Sequence, residues 1–225
     1  MTLSATARTT ITRHRERGSV DRADLFAVLD EALVCHVGLV RDGAPVVLPS
    51  IFAVDPEGPD EGGTLYLHGS VAAPWLRQAP GATLCASFTL VDGAVLARAA
   101  FSHSMNYRSA VVMGPGRLVD DDAERVHALD LIVDHVVPGR SATLRPHTRK
   151  ELAATVVVAV PLAEASVKTR AGGPVDEADD VAAGVWAGVV PLSVTAGVVE
   201  PDRAGPVPDD VVRRVARWGG TASAR

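Results

Sequence analysis

The chain is poor in aromatic residues and in cysteine. Phe, Trp and Tyr make up 4% of its 225 residues, whereas valine and alanine are abundant, which favours a core built from sheets. Two cysteines, Cys35 and Cys85, are too few for a disulfide framework. Each lies in an apolar segment, so we expect both to be buried free thiols. No histidine or cysteine spacing is typical of a zinc site, and no metal is expected.

The chain also lacks long apolar runs and an excess of positive charge. No segment approaches the roughly 20 apolar residues that span a membrane. Residues 1–17 are rich in Thr and Arg and do not resemble a secretory signal. The net charge of −5 at pH 7 disfavours nucleic acid and anionic membranes as partners. We therefore expect a cytoplasmic protein that acts on a small molecule.

Three common catalytic signatures are missing. No G-x-G-x-x-G opens a helix after a strand, so a Rossmann dinucleotide site has no support. No G-x-S-x-G elbow is present, and none of the seven histidines forms an H-x-x-x-H or H-E-x-x-H pair. Neither a serine hydrolase nor a helical zinc enzyme is indicated.

The chain does contain a series of short apolar segments separated by turn residues. Asp42-Gly43 and Asp92-Gly93 are each flanked by strand-like runs, which predicts two β-hairpins. Asp21 precedes an apolar repeat at helical spacing and predicts the start of a helix. We expect about seven or eight strands and three helices, a pattern that favours a mainly β protein, an antiparallel β-barrel with peripheral helices.

This pattern divides the chain into three regions. Residues 1–20 predict a flexible N-terminal arm, and residues 201–225 a C-terminal helical extension. Residues 21–200 form the barrel domain, whose last β run is expected to end near residue 199.

Residues 97–114 carry a dense group of polar, aromatic and basic side chains between two strand-like runs. A guanidinium, a hydroxyl and backbone N–H groups at the start of a strand can converge on a phosphate or carboxylate. Tyr107, Arg108 and Ser109 therefore predict an anion site. The alternative is that Arg108 is a solvated surface residue.

Other polar side chains leave more than one interpretation open. His68 and His103 can each be a hydrogen-bonded structural residue, a cofactor contact or a ligand of haem iron. Lys168 and Arg170 can bind an anion or lie at a solvated strand end. Trp186 can pack in the core or form a planar wall beside an aromatic cofactor.

Six segments resemble the flavin-nucleotide-binding branch of the pyridoxamine 5′-phosphate oxidase-like superfamily, the branch that includes nitroimidazole-reductase-type proteins. The resemblance extends over roughly residues 22–195, within which these segments are spaced. The segments are PVVLPSIFA (45–53), LYLHGS (65–70), LCASFTLVDGAVLARAAFSHSMNYRSAVVMG (84–114), VPGR (137–140), ELAATVVVAVPLAEASVKTRAGGP (151–174) and VWAGVVPL (185–192).

The resemblance implies an FMN-binding split β-barrel that forms a homodimer, with FMN in clefts between the subunits. The flavin supplies the electron chemistry, and His68 and His103 are the candidate catalytic residues, as general acid or base. The cofactor contacts that the resemblance implies are Val47, Leu48, Pro49, Ser50, His68, Gly69, Tyr107, Arg108, Ser109, Lys168, Arg170 and Trp186.

The chain departs from the family pattern after the HGS motif. Related sequences continue toward a Ser-Arg pair that grips the FMN phosphate, whereas Ala73 and Pro74 stand here. A bidentate charged contact contributes about 1.5–3 kcal/mol, so its loss weakens FMN binding roughly ten- to a hundredfold. Arg77, one helical turn along, is the expected substitute as a cofactor-binding residue. Without it, the chain binds FMN poorly, holds another ligand such as haem, or has lost the cofactor.

The sequence therefore predicts an FMN-dependent oxidoreductase that oxidises or reduces a small organic substrate at a dimer interface. The alternative is a non-catalytic flavin- or haem-binding protein on the same scaffold, which the change at Ala73-Pro74 favours.

Overall fold

The computed structural model describes residues 2–3 and 6–221. The predicted arm and extension therefore include residues 1, 4, 5 and 222–225, which lie outside the described residues. The helices are α1 (Arg22–Glu31), α2 (Pro74–Gln78), α3 (Asp122–Val136), α4 (Arg149–Ala154), α5 (Ala178–Ala182) and α6 (Asp209–Arg217), with 3₁₀ turns at Arg15–Arg17, Ala100–Ser102 and Ser141–Thr143. The strands are β1 (Gly18–Ser19), β2 (Cys35–Arg41), β3 (Ala44–Ser50), β4 (Phe52–Asp55), β5 (Thr64–Ser70), β6 (Thr83–Leu96), β7 (Ser104–Pro115), β8 (Arg117–Leu118), β9 (Thr155–Pro161), β10 (Glu164–Arg170) and β11 (Gly188–Pro191).

These strands form two antiparallel sheets. The seven-stranded sheet has the order β1-β10-β7-β6-β2-β3, and β11 pairs with β6 beside β2. The four-stranded sheet has the order β4-β5-β9-β8. The sheets do not close into one continuous barrel. The predicted split β-barrel is confirmed, while the division into three regions stays a prediction.

The hairpin predicted at Asp92-Gly93 is wrong. β6 runs through this dipeptide, and a shift of pairing register between Val91 and Gly93 marks a β-bulge. The bulge absorbs the turn-forming residues because β6 stays paired with β7 on both sides of it. The hairpin at Asp42-Gly43 does form, with both residues in the left-handed region, at φ 51° and 78°.

The prediction of a last β run that ends near residue 199 is also wrong. Residues 192–199 form no strand in the described structure. The backbone N–H of Ala196 instead donates to the carbonyl of Trp218, 3.1 Å away, just beyond α6. This segment therefore attaches to the C-terminal helix rather than to a sheet.

Two hydrophobic clusters lie on opposite faces of the four-stranded sheet. Leu25 and Leu29 of α1 pack with Leu65 and Leu67 of β5 between the two sheets. Tyr66, which points the other way, packs with Leu129 and Ile132 of α3. The side chains of Asp21 and Asp121 cap the first turns of α1 and α3. Within the described residues, no helix combines the length and apolar character needed to cross a membrane.

The two cysteines are free, as expected. Cys35 is buried, and burial raises the pKa of its thiol to about 12. Cys85 is only partly buried, against our expectation, because it lies on the face of β6 that points away from α1. Burial also raises the pKa of the Cys85 thiol, so neither cysteine is activated as a nucleophile.

Candidate functional site

A largely apolar cavity of about 480 Å³ lies where the four-stranded sheet meets α3. His68 and Thr155 line it from the sheet, and Arg140 and His147 from the segment between α3 and α4. The remaining lining residues are Ile51, Leu129, Ile132, Val133, Val136, Val137 and Glu151. We call this space the His68 cavity.

The alternation of side chains along β5 turns His68 toward α3. Leu65 and Leu67 face the core between the sheets, so Tyr66 and His68 face the other way. The Nδ1 atom of His68 is buried and has no hydrogen-bond partner among the described residues. Burial lowers the pKa of His68, so the ring is neutral near pH 7. A neutral imidazole can serve as a metal ligand.

Polar groups lie at the rim of the His68 cavity. Arg140 Nη1 is 3.5 Å from the nearest carboxylate oxygen, on Asp210, which is a long contact. His147 Nε2 is 3.0 Å from Asp130 Oδ1. Glu151 is already engaged by Arg145, and that contact lowers its pKa. The cavity can therefore hold a planar apolar group with a neutral imidazole beside it and an incompletely paired guanidinium at its rim.

Acidification is expected to destabilise the fold below pH 6.5. Burial lowers the pKa of His68 and of His135, whose Nε2 contacts the carbonyl of Ala32 at 2.7 Å, from an ordinary value of 6.5. The unfolded chain then binds protons first as the pH falls, so stability is full above pH 6.5 and declines below it. Each histidine contributes at most about 1.4 kcal/mol per pH unit, until its folded-state pKa is reached.

Urea unfolding at pH 7.5 and 5.5 measures this decline. In the double variant His68→Gln/His135→Gln the difference between the two pH values should shrink. A difference equal to that of the unsubstituted chain would assign the decline to other groups.

Five of the predicted cofactor contacts share a second surface, the side of the seven-stranded sheet that points away from α1. Residues that are paired across strands, or lie two apart along one, share a face. The pairings place Val47, Pro49, Tyr107, Ser109 and Lys168 together. We call this surface the outward face. It also carries other exposed apolar side chains, Val40, Val91, Met105 and Val190. Arg170 pairs with Tyr107 and starts on the same face, but its guanidinium turns into a loop.

Arg108 does not lie on the outward face. It alternates with Tyr107 and Ser109 along β7, so its side chain points to the opposite side of the sheet. There its Nη2 contacts Asp92 Oδ1 at 2.7 Å and Glu31 Oε1 at 2.9 Å. Both carboxylates raise its pKa. The three residues predicted as one anion site are therefore divided between two faces, and Arg108 is paired with two acids.

Leu48 and Ser50 are separated from Val47 and Pro49 for the same reason. They alternate with those residues along β3, and Leu48 pairs with the fully buried Val37. Gly69 lies on the core side of β5, where a Cβ would come 2.7 Å from Leu76 of α2. The lack of a side chain at Gly69 therefore lets α2 pack closely against β5.

Arg170 holds a loop rather than an open site. It is 7% exposed, and it donates to the side chain of Asn106 and to the carbonyls of Gly172 and Gly173 at 3.3 and 3.0 Å. Trp186 is 68% exposed and lies against Gly188 at the start of β11. It is neither a core residue nor part of the outward-face group.

The remaining predicted residues lie apart from the His68 cavity. His103 is exposed in the turn before β7, where its Nδ1 contacts the carbonyl of Ala99 at 2.9 Å. Arg77 is exposed on α2. Pro74 is the first residue of that helix, and Ala73 provides no side-chain cap. The structure thus puts His68 in one site and five other predicted residues in another.

Sequence reasoning misses most of the His68 cavity. The helical spacing of the apolar residues in α3 indicates only that they pack against the core. That stripe continues to Val136, the last residue of the helix, and both Val136 and Val137 line the cavity. Arg140 and His147 carry no local pattern, because loop geometry brings them to the cavity.

Comparison with known proteins identifies relatives. The family described as "Pyridoxamine 5′-phosphate oxidase" matches residues 21–169. A search of curated proteins finds no match. The structure is similar to the flavocytochrome Anf3 from Azotobacter vinelandii, with 33% identity, a TM-score of 0.83, and coverage of 95% of this chain and 97% of the other.

Two further solved structures are similar. One is an FAD- and haem-binding protein from Mycobacterium smegmatis, at 42% identity and TM-score 0.78, covering 87% of this chain and 95% of the other. The other is a 5-nitroimidazole antibiotic resistance protein from Bacteroides thetaiotaomicron, at 26% identity and TM-score 0.53, covering 67% of this chain and 85% of the other. The first two extend well beyond residue 169, into the C-terminal part of the chain.

Proposed function

The chain belongs to the pyridoxamine 5′-phosphate oxidase family, and from this premise we propose that it is an oxidoreductase that binds both a flavin and a haem. The observation that carries the proposal is the buried, unpartnered Nδ1 of His68 beside an apolar cavity. Two proteins at 33% and 42% identity, one named a flavocytochrome and the other an FAD- and haem-binding protein, support it.

The residues of the His68 cavity fit a haem. The apolar side chains of α3 and Ile51 would contact the macrocycle and keep water away, because haem is largely apolar. His68 would supply the iron ligand as a neutral imidazole. Arg140, whose contact with Asp210 is long, and His147 would pair with the propionate carboxylates.

The residues of the outward face fit a flavin. Val47 and Pro49 offer an apolar strip on β3, and Tyr107 and Ser109 offer hydroxyls. Lys168 offers a cation whose Nζ donates to the carbonyl of Arg13 at 3.1 Å and forms no ion pair among the described residues. The exposed apolar side chains of this face leave a surface that a second copy would cover. We place the flavin there, between the two subunits of a homodimer.

FAD fits the proposal better than FMN. The 42% identical structure is named for FAD and haem. The chain also has Ala73 and Pro74 where the expected FMN-phosphate contacts would be, and α2 starts there without a side-chain cap. Chromatography of the flavin released on denaturation distinguishes the two cofactors.

When bound, a flavin supplies one- and two-electron transfer and a haem supplies one-electron transfer. The chain's own contribution is to hold the two groups apart, on different sheets, and to exclude water from the His68 cavity. His68 is then an iron ligand rather than a general acid or base. A catalytic role for His103 stays a prediction, since its exposed ring lines none of the described cavities.

One experiment tests the cofactors and the dimer together. The purified chain is incubated with FAD and haemin, and its absorbance and light scattering are recorded across a size-exclusion peak. We expect a flavin band at about 450 nm and a Soret band. Light scattering should give a mass twice the 23.4 kDa of one chain. NADH or NADPH should then bleach the flavin band.

A peak that carries neither band contradicts the cofactor proposal. A mass of 23.4 kDa contradicts the homodimer and the flavin site between subunits, whatever the spectrum. Both bands without reduction by either nucleotide would favour the non-catalytic binding protein.

A further inference from the structure

A second large cavity, of about 780 Å³, lies beside an uncovered stretch of β6. β2 pairs with β6 only as far as Ser87, and β11 begins its pairing at Gly93. The stretch between them has no strand partner on that edge in the described structure, and Thr89, Leu90, Val91 and Asp92 line the cavity. Asp92 O accepts a hydrogen bond from Leu192 N, 3.0 Å away, so the open part of the edge ends before Asp92. Unpaired backbone groups on such an edge are available to a ligand.

We call this space the C-terminal cavity. Apart from the β6 residues, its lining combines apolar side chains with arginines. It shares no lining residue with the His68 cavity. Leu192, Val194, Arg214, Arg217 and Trp218 line it from a part of the chain beyond residue 169, where the family match ends. The remaining lining residues are Glu31, Ala32, Leu33, Val34, His36, Arg108 and Ser193.

Arg214 is a buried cation with no acid in direct contact; Asp30, the partner of Arg217, attracts it from a greater distance. Arg214 is 4% exposed, and no carboxylate of the described residues forms an ion pair with it. Its Nη2 donates to the carbonyl of His135 at 3.0 Å, and its guanidinium lies 4.3 Å from the centre of the Trp218 ring. Its Nε is buried with no partner among the described residues. A buried charge is costly when it is unpaired, so this position calls for an anion.

The other charges around the C-terminal cavity limit that anion to a single charge. Arg217 is paired with Asp30. Arg108 is paired with both Glu31 and Asp92, a group that carries one net negative charge. Of the three arginines that line the cavity, Arg214 is therefore the one whose charge an incoming anion would balance. A polyphosphate would meet the carboxylates of Glu31 and Asp92 in the same space, and like charges repel at this range.

We infer that the C-terminal cavity binds an organic monocarboxylate with an apolar body. The carboxylate would pair with Arg214, and the body would lie against Leu33, Val34, Leu192 and Val194. The volume of 780 Å³ is that of a site for a medium-sized organic molecule rather than for an inorganic ion. This site shares no residue with the His68 cavity. It adjoins the outward face, which contributes His36, Thr89 and Val91 to its lining, but Arg214 and its C-terminal walls lie outside the proposed flavin site.

Titration calorimetry of the purified full chain, with whatever cofactors it carries, tests the inference. Octanoate is the probe, octan-1-ol is the same body without the charge, and ADP is a polyanion. We expect octanoate to bind at least about tenfold more tightly than either. In Arg214→Gln the dissociation constant of octanoate should rise at least about tenfold, which is the effect of about 1.4 kcal/mol, while that of octan-1-ol stays the same.

Arg213→Gln is the matched control, because it removes the same charge from an exposed position on the same helix. Octanoate binding should be unchanged in this variant. Val194→Phe is the second test, since Val194 lines the cavity and is 76% exposed, so that a larger side chain should narrow the cavity without disturbing α6. It should weaken octanoate binding at least about fivefold.

Several results would overturn the inference. They are no octanoate binding by the unsubstituted chain, equal loss in Arg213→Gln and Arg214→Gln, or tighter binding of ADP than of octanoate. If Arg214→Gln does not fold, Val194→Phe decides, and unchanged octanoate affinity in that variant contradicts the site.

Discussion

Replacing His68 with alanine is expected to abolish haem binding and leave the fold intact. His68 is the imidazole that β5 directs into the His68 cavity, and an alanine there offers the iron no ligand. The dissociation constant for haem should rise at least about a hundredfold, equivalent to roughly 2.7 kcal/mol. The fold should tolerate the change because the ring has a buried nitrogen without a partner among the described residues, so its removal also relieves a desolvation cost.

Haemin titration followed at the Soret band measures the effect, with circular dichroism to confirm folding. His103→Ala is the matched control: the sequence singles out both histidines, but His103 is exposed in a turn. It should bind haem as the unsubstituted chain does. His147→Ala should weaken binding by a smaller factor, because His147 lies at the rim. A Soret band that survives in His68→Ala and disappears in His147→Ala would reverse the assignment of the ligand.

Gly116→Ala is expected to destabilise the fold strongly, although it adds a single methyl group. A Cβ at Gly116 would lie 2.3 Å from the carbonyl oxygen of Ala79. That backbone oxygen is held in place because it accepts from Ala82 N at 3.0 Å. Gly116 is held against it, since Gly116 N donates to Ala82 O at 2.9 Å and Gly81 N donates to Gly116 O at 2.8 Å. We expect a loss of about 2–3 kcal/mol in the free energy of unfolding, or roughly 4–12 °C in Tm.

Thermal and urea unfolding measure this loss. Gly205→Ala is the control, because a Cβ at Gly205 meets no atom within 4 Å and its φ lies outside the left-handed region. Its stability should change by less than about 0.5 kcal/mol. Equal effects in the two variants would show that the chain between β7 and β8 can move aside.

The fold is largely predictable because its signals are local. The Asp42-Gly43 turn, the cap at Asp21 and the apolar repeats of α1 and α3 each lie within a few residues, and the structure has all of them. The hairpin predicted at Asp92-Gly93 is wrong because the same dipeptide is compatible with a turn and with a β-bulge. The choice depends on whether β6 keeps its partner beyond that point, which is a long-range property.

The site is less predictable because pairing across the sheet decides it. Tyr107, Arg108 and Ser109 are adjacent in sequence, but alternation along β7 assigns Arg108 to the other side. Its partner Glu31 is 77 residues away in the chain, and no local pattern indicates that contact. His68 can be singled out because it stands beside other polar residues. Its unpartnered nitrogen becomes visible only in three dimensions.

The divided pairing of β6 has a consequence for synthesis of the chain. In the described part of the chain, β11 (Gly188–Pro191) is the strand that covers one edge of β6 beyond the bulge. A nascent chain that has completed the family core up to residue 169 therefore still presents an open strand edge. Such edges pair with those of neighbouring chains. We therefore expect a product that stops before residue 188, and so lacks β11, to aggregate more readily than the full chain.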